Sequence, residues 1–205
     1  MRRKEFYITD KEDIEGLLAS STYGVLGLID DEGFPYTVPL NFVYHDGAIY
    51  AHGAITQNSK KIKSIKANNK ASFTAVQEYS LLPSYFTGSE LACPATQFFK
   101  SVFIRGNVEL VSDADEKIAS LSALMQKLQP EGHYKPITAA NEEYAKELNA
   151  TAVIKLAPNT LTAKFKFGQN QKPEAFEKLI SELTNRGDII DKETIRMMKK
   201  YYPNE

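Results

Sequence analysis

YGVLGLIDDEGFPYTVPLNFVYHDGAIYAHGA, residues 23–54, is the stretch whose reading sets the fold class. Its apolar residues are largely β-branched, aliphatic or aromatic. Two polar clusters interrupt them, Asp30-Asp31-Glu32-Gly33 and His45-Asp46-Gly47. Each cluster ends on a glycine that can take positive φ, the signature of a tight turn between strands. Three strands are therefore expected, at Tyr23 to Asp30, Phe34 to Tyr44 and Ala48 to Ala54. In the second, Phe34, Tyr36, Val38, Leu40, Phe42 and Tyr44 alternate onto one face, leaving Thr37, Pro39 and Asn41 on the other. Turns this short join antiparallel neighbours, because a parallel crossover needs a dozen or more residues. A meander results, and a dinucleotide-binding parallel sheet is excluded. Neither a glycine-rich dinucleotide fingerprint nor a P-loop occurs in the chain.

Working outward, Thr9-Asp10-Lys11-Glu12 reads as a capping box for a helix carrying Ile14, Leu17 and Leu18 and ending near Ser21. Downstream, Ser59 to Asn69 reads as a helix with Ile62 and Ile65 inward, and Ala71 to Glu78 as a strand. Residues 80–97, with Pro83 and Pro94, read as a long loop. Phe98 to Val111 is strand-like, with Gly106 marking a bulge or a close backbone approach. Asp113 to Leu128 is an amphipathic helix with an acidic start (Ile118, Leu121, Leu124, Met125 and Leu128 inward). A short helix is expected from Asn141 to Leu148. A long strand follows from Ala152 to Phe167, broken at Pro158-Asn159. Helices at Pro173–Arg186 and Asp191–Tyr201 close the chain. The pattern is mostly β with α additions: about six antiparallel strands in a closed or half-closed barrel with peripheral helices. It is read as one domain over residues 1–205 with a C-terminal helical extension from about residue 171.

Composition narrows the function classes. A chain of 205 residues with 42% hydrophobic and 25% charged residues can bury a core without staples. No apolar run approaches the roughly 20 residues of a membrane-spanning helix, and the basic N-terminus is not followed by a secretory h-region. The single cysteine, Cys93, permits no internal disulfide and fits a reducing cytoplasm. As a lone cysteine it reads first as a small buried hydrophobe. A net charge of −1 gives no global attraction for nucleic acid or acidic membrane, so an anion site has to be local. Three histidines and one cysteine occur at no metal-ligand spacing, and no nucleophile elbow is present. With so little for side-chain catalysis, a cofactor is the natural source of chemistry.

The local site is expected where the third strand runs into the next helix. A helix N-terminus carries free N–H groups and partial positive charge and favours acidic residues. Here Ser59-Lys60-Lys61-Ile62-Lys63, preceded by Asn58, supplies lysines and no acid. A bound phosphate would balance them and use the Ser59 hydroxyl, while Gly53 and Ala54 let a ligand approach the backbone. A solvated lysine face is the plain alternative. Pro39 interrupts a clean strand and marks an edge, a bulge or a ligand-facing position. Asn41 beside it offers a donor and an acceptor, which suit the rim of a heteroaromatic ring. His52 titrates near neutrality and can serve in proton transfer or as a structural hydrogen-bonding group. Lys164-Phe165-Lys166-Phe167-Gly168-Gln169-Asn170 reads as an amphipathic strand end, with reach toward a partner's cofactor as the other reading.

In their order, Tyr23 to Gly27, Gly33 to Phe42, Ile49 to Ala54, Lys60-Lys61 and Cys93 to Val102 with Gly106 resemble the pyridoxamine 5′-phosphate oxidase-like split β-barrel flavoproteins, within them the nitroimidazole-resistance branch. The resemblance implies a homodimer holding flavin mononucleotide, or its adenine dinucleotide form, at the subunit interface. Thr37, Val38, Pro39, Leu40 and Asn41 would line the ring, and Ala51, His52, Gly53 and Ala54 the ribityl chain. Ser59, Lys60 and Lys61 would hold the phosphate, Ser101 would approach the ring, and His52 would be the proton-transfer group. It further implies an oxidoreductase acting on a small-molecule electron acceptor, nitroaromatic (5-nitroimidazole-like) or quinone-like. The alternative is a non-catalytic flavin- or haem-binding sensor. No metal, nucleic-acid or membrane partner is expected. The chain has no tryptophan, and Lys60 stands where the vitamin-oxidising members carry arginine, which argues against oxidation of a vitamin phosphate.

Overall fold

A computed structural model describes residues 3–54 and 59–203; Asn58 of the sequence motif lies outside them. In chain order the elements are β1 (Tyr7–Ile8), α1 (Lys11–Ser20), β2 (Tyr23–Ile29), β3 (Pro35–Asn41), β4 (Val43–His45), β5 (Ala48–Ala54), α2 (Lys60–Ala67), β6 (Lys70–Leu82), β7 (Thr96–Leu110), α3 (Ala114–Leu128), α4 (Glu142–Ala150), β8 (Thr151–Lys166), α5 (Pro173–Arg186) and α6 (Ile189–Tyr201). The strands form one sheet with the path β3-β2-β6-β7-β8-β5-β4, and β1 is added to β8. The β2–β3, β2–β6, β4–β5, β5–β8 and β1–β8 pairings are antiparallel. The expected mostly-β split barrel with peripheral helices is what the chain forms. The two shortest strands, β1 and β4, take the number above the six expected.

The single strand expected from Phe34 to Tyr44 is instead two. β3 pairs with β2, and β4 pairs with β5. The pivot is Phe42, fully buried and T-shaped against Phe73 with ring centroids 4.8 Å apart. Because β3 and β4 terminate opposite ends of the strand path, the turn at Phe42 brings the path back on itself, as a barrel requires. Alternation survives at Tyr36, Val38 and Leu40, but Phe34 is 65% exposed.

Contacts gather the chain into two compact units, Glu15–Ala75 with Val102–Leu161, and Met1–Ile14 with Val76–Ser101 and Thr162–Glu205. The first unit packs Leu26, Phe42, Ile49, Phe73, Ile154 and Leu156 into a core with a void of about 10 Å³, too small for more than one water. Gly106 earns its place there. A Cβ on it would lie 1.9 Å from the carbonyl oxygen of Ala157, the close backbone approach expected of this glycine. The second unit buries Phe98, Phe165, Phe167, Phe176, Leu179 and Leu183 under α5 and α6. A buried Arg186–Asp191–Ser80 network fastens α6 to β6, with Ser80 Oγ donating to Asp191 Oδ1 at 2.6 Å.

Other boundaries moved for local reasons. Asp10, not Thr9, caps α1: its carboxylate accepts from the N–H of Asp13 at 2.8 Å. An ionised carboxylate one residue nearer the helix is the better acceptor for an orphan donor. β6 runs on to Leu82, so the long loop starts later than residue 80. β8 is unbroken at Pro158-Asn159, because Pro158 falls between the residues paired with β5 and those paired with β1 and removes a bond to neither. Cys93 is exposed, not buried, on the loop before β7.

Candidate functional site

The end of β5 and the start of α2 make the site. β5 is buried through Ala48 to Ala51, then opens at His52 and Ala54. Its last residues pair with β8 as Ala51↔Ile154, His52↔Val153, Gly53↔Ala152 and Ala54↔Thr151, which fixes their backbone. Ser59 is the N-cap of α2 and its hydroxyl makes no capping bond, so it leaves the first N–H groups of the helix available to another acceptor. Ile62 and Ile65 are buried, as their spacing demands, which turns Lys60, Lys61 and Lys63 away from the core.

The lysines at this terminus are not equivalent. Lys60 Nζ lies 2.8 Å from Asp30 Oδ2, whose side chain is only 3% exposed, and 5.3 Å from the centre of the Tyr36 ring. Asp30 is held in place by the β2–β3 turn it builds, accepting from the N–H groups of Glu32 and Phe34 at 3.1 and 2.8 Å. The expectation that the helix start lacks an internal counter-charge is therefore corrected at Lys60. Asp30, thirty residues upstream, supplies one. Bonding to Lys60 holds the Asp30 carboxyl below the usual carboxylate range.

Lys61 has no such partner among the described residues. Its Nζ folds against Gly53, 2.8 Å from where a Cβ would stand, so any larger residue at 53 would contest its place. Half-burial without an ion pair pushes its ammonium below the ordinary lysine value. The same ammonium, after desolvation, lowers the pKa of His52. Among the described residues, the result is a glycine-floored corner with a cation that has no carboxylate partner, a serine hydroxyl that makes no capping bond, the first N–H groups of a helix and a neutral imidazole. That donor set suits a phosphoryl group.

β3, an edge strand, presents Thr37 and Pro39 outward and half-buries Val38, Leu40 and Asn41. It is paired residue by residue with β2, as Thr37↔Gly27, Pro39↔Val25 and Asn41↔Tyr23. This face is apolar and open, with Tyr23 61% and Val25 39% exposed. Pro39 costs no ladder bond at an edge. Asn41 Nδ2 donates to the carbonyl of Thr22 at 3.0 Å, which fixes the amide and uses one of the donors expected for a ring. The first compact unit thus carries twelve of the thirteen sequence-derived binding residues; Ser101, on β7, belongs to the other, where its Oγ lies 3.4 Å from the carbonyl of Lys164.

A profile of the pyridoxamine 5′-phosphate oxidase family matches residues 10–165. The chain belongs to that family. A solved structure named for 5-nitroimidazole antibiotic resistance, from Bacteroides thetaiotaomicron VPI-5482, is 25% identical, with a TM-score of 0.61 over 77% of this chain and 85% of that one. The flavocytochrome Anf3 from Azotobacter vinelandii is 22% identical, with a TM-score of 0.65 over 84% of this chain and 75% of that one. An FAD- and haem-binding protein from Mycobacterium smegmatis is 19% identical, with a TM-score of 0.63 over 78% and 73%. No curated protein matches the sequence. As a member of the pyridoxamine 5′-phosphate oxidase family, the chain keeps the family's sheet but brings to the helix corner a residue that motif reading missed, Asp30. The only local hint was an aspartate opening a turn whose own N–H groups it could accept. Among the described residues no cluster of histidine, cysteine and carboxylates could hold a metal, and no helix is long and apolar enough to cross a membrane.

Proposed function

We propose that this chain is a flavin-dependent oxidoreductase that binds flavin mononucleotide and passes electrons to a nitroaromatic or quinone-like acceptor. The observation that carries this reading is Lys61, a half-buried ammonium without a carboxylate partner among the described residues, folded onto Gly53 at the start of a helix whose N-cap, Ser59, makes no capping bond. Lys61, Ser59 and the first N–H groups of α2 would hold the phosphate. Lys60 would act at one remove, its charge already shared with Asp30. Ala51 to Ala54 would run beside the ribityl chain, and Thr37 to Asn41 would meet the ring through an edge whose backbone is pinned by β2. A bound flavin would supply the redox chemistry that the side chains lack. His52, neutral at pH 7, can accept a proton at its unprotonated ring nitrogen.

The same reading makes the protein a homodimer with flavin at the interface. The open apolar face of Tyr23, Val25 and Pro39 is the surface on this chain that such an interface would cover. The corner offers donors for a phosphate, which supports a flavin nucleotide, and the mononucleotide is the form this reading takes. Purified protein should be yellow or take up added flavin mononucleotide, and when loaded should oxidise a reduced nicotinamide in the presence of a 5-nitroimidazole or a quinone. Light scattering should give twice the chain mass. A colourless preparation that takes up neither flavin mononucleotide nor its adenine dinucleotide form would sink the proposal.

A further inference from the structure

The first compact unit holds a cleft of about 430 Å³ that the flavin reading does not use. It opens between the β4–β5 turn, the first turns of α3 and β8, toward the start of β5, whereas the phosphate corner follows the end of that strand. Tyr50, 5% exposed, anchors it, because its ring belongs to the core of Val43, Val111, Leu124 and Val153. The Tyr50 hydroxyl donates to Glu116 Oε1 at 2.8 Å, and Lys155 Nζ donates to the same oxygen at 2.6 Å. Glu116 Oε2 is left without a hydrogen bond among the described residues. Lys155 is shared with Glu109, whose Oε1 lies 3.8 Å away. Asp115 and Asp46 complete the acidic lining, with His45 Nε2 3.5 Å from Asp46 Oδ2.

Acidic residues at a helix start ordinarily serve the helix. In α3 that task falls to Asp113, which accepts from the N–H of Glu116 at 2.8 Å, while the Glu116 side chain turns away to β5 and β8. Asp46 and Glu109 stand on other elements altogether. Carboxylates from the β4–β5 turn, β7 and α3 thus gather about one ammonium, and negative charge is in excess. The bonds from Lys155 and then Tyr50 hold the Glu116 carboxyl below the usual carboxylate range, so it is ionised at neutral pH. A metal ion does not answer this excess, since among the described residues no group of histidine, cysteine and carboxylates could hold one. A cation that carries its own carbon skeleton does. Ala119 leaves it room, for it lies three residues on from Glu116 on the same helical face, where a longer side chain would project into the cleft. The His45 and Tyr50 rings, with centroids 6.2 Å apart and planes inclined at 59°, give it an aromatic corner.

We propose that this cleft binds a small organic cation, an ammonium or guanidinium group carried on a short carbon chain. The head group donates to Glu116 Oε2 and to Asp115, Asp46 meets it from the facing turn, and the chain lies over Ala119 and the His45 ring. A primary amine and a guanidine share this chemistry, and the planar fork of donors on the guanidinium is what separates them. The site shares no residue with the phosphate corner and does not depend on flavin binding.

Calorimetric titration of the full-length protein at low ionic strength tests it, with butylamine, butylguanidine, butanol and magnesium chloride as probes. Butylamine or butylguanidine should bind saturably, about tenfold or more tighter than butanol or magnesium ion. The tighter of the two names the head group. Ala119→Leu fills the cleft from an exposed position without altering a charge, and should weaken binding by about tenfold with the melting temperature near wild type. Asp46→Asn/Asp115→Asn should lose about as much by removing two acceptors while keeping their shape. The proposal is overturned if neither butylamine nor butylguanidine binds, if butanol or magnesium ion binds as well as they do, or if either folded variant binds as tightly as wild type. Should Ala119→Leu fail to fold, the asparagine variant and the butanol comparison still decide.

Discussion

Lys60 Nζ and Asp30 Oδ2 stand 2.8 Å apart, joining the first turn of α2 to the β2–β3 turn. The contact divides labour between two adjacent lysines. Lys60 belongs to the scaffold, because its charge compensates a carboxylate that is buried and already committed to two backbone N–H groups. Lys61 has no carboxylate partner among the described residues and faces the glycine floor of β5.

The two lysines should therefore fail differently. Lys61→Met should weaken binding of flavin mononucleotide by about tenfold to a hundredfold, the loss expected for one charge-assisted bond to phosphate, and leave the melting temperature near wild type. Lys60→Met should chiefly lower the melting temperature, since Asp30 is left buried without its cation. The pair's acid sensitivity follows from Asp30. Its folded pKa lies below the ordinary 3.8, so its contribution is present above that value and is lost as pH falls toward the folded pKa. Fluorescence titration of flavin and thermal melts across pH separate the two; equal effects of both substitutions on flavin affinity would contradict the division.

Much of this architecture could be read from local pattern, and what could not be read was non-local. Both turns, Gly106, the acidic cap of α3 and the start and end of α5 follow from signals a few residues long. The Phe42 pivot did not, because two-residue alternation runs through Phe34 to Tyr44 without a gap. The one trace it leaves is that Phe42 and Val43 are both buried in succession, which a strand with one wet face cannot accommodate. At the candidate site, the lysines at a helix start and the small residues before them drew Ser59, Lys61 and Gly53 together in the sequence, and the fold sets Lys61 against Gly53. Asp30 was not, because its pairing with Lys60 is a fact of the fold and thirty residues of chain separate them.

His52 should titrate below the ordinary histidine value of 6.5, first because it is partly desolvated and second because Lys61 repels its proton. In the Lys61→Met protein the second cause disappears, so the pKa should move upward, though not fully to 6.5. Since the folded value is depressed, the unfolded chain binds the proton first as pH falls, and stability contributed by neutral His52 is lost below about pH 6.5. Proton NMR of the imidazole in both proteins checks this. An unchanged pKa would mean that Lys61 does not lie beside His52 in solution.

Gly106 can take no side chain without moving backbone. Ala157 and Pro158 of β8 occupy the space where a Cβ would go. Gly106→Ala should cost about 2–3 kcal/mol, at the upper end of overpacking penalties, because the obstructing atom is a main-chain carbonyl and not a flexible side-chain tip. Chemical denaturation provides the measurement. The contrasting variant is Gly53→Ala, whose Cβ meets only the end of Lys61. It should melt near wild type and bind flavin more weakly.

Lys127 offers a test of the barrel corner itself. From α3 its Nζ donates to the carbonyls of Leu18, in the last turn of α1, and of Phe42, at 2.8 and 2.9 Å, and lies 3.7 Å from the centre of the Phe42 ring. Burial brings its pKa down to about 8. The unfolded chain, with lysine near 10.5, holds the proton to higher pH than the folded one, so stability should rise between pH 8 and 10.5. The neutral amine still has two N–H groups for its two carbonyls, so the corner survives deprotonation. Lys127→Met removes both donors. It should abolish that rise and destabilise the protein by about 1–3 kcal/mol, the cost of leaving a part-buried acceptor without its partner. If denaturation curves from pH 7.5 to 10.5 show the same slope for wild type and Lys127→Met, the ammonium is solvated, and the Phe42 corner rests on ring packing alone.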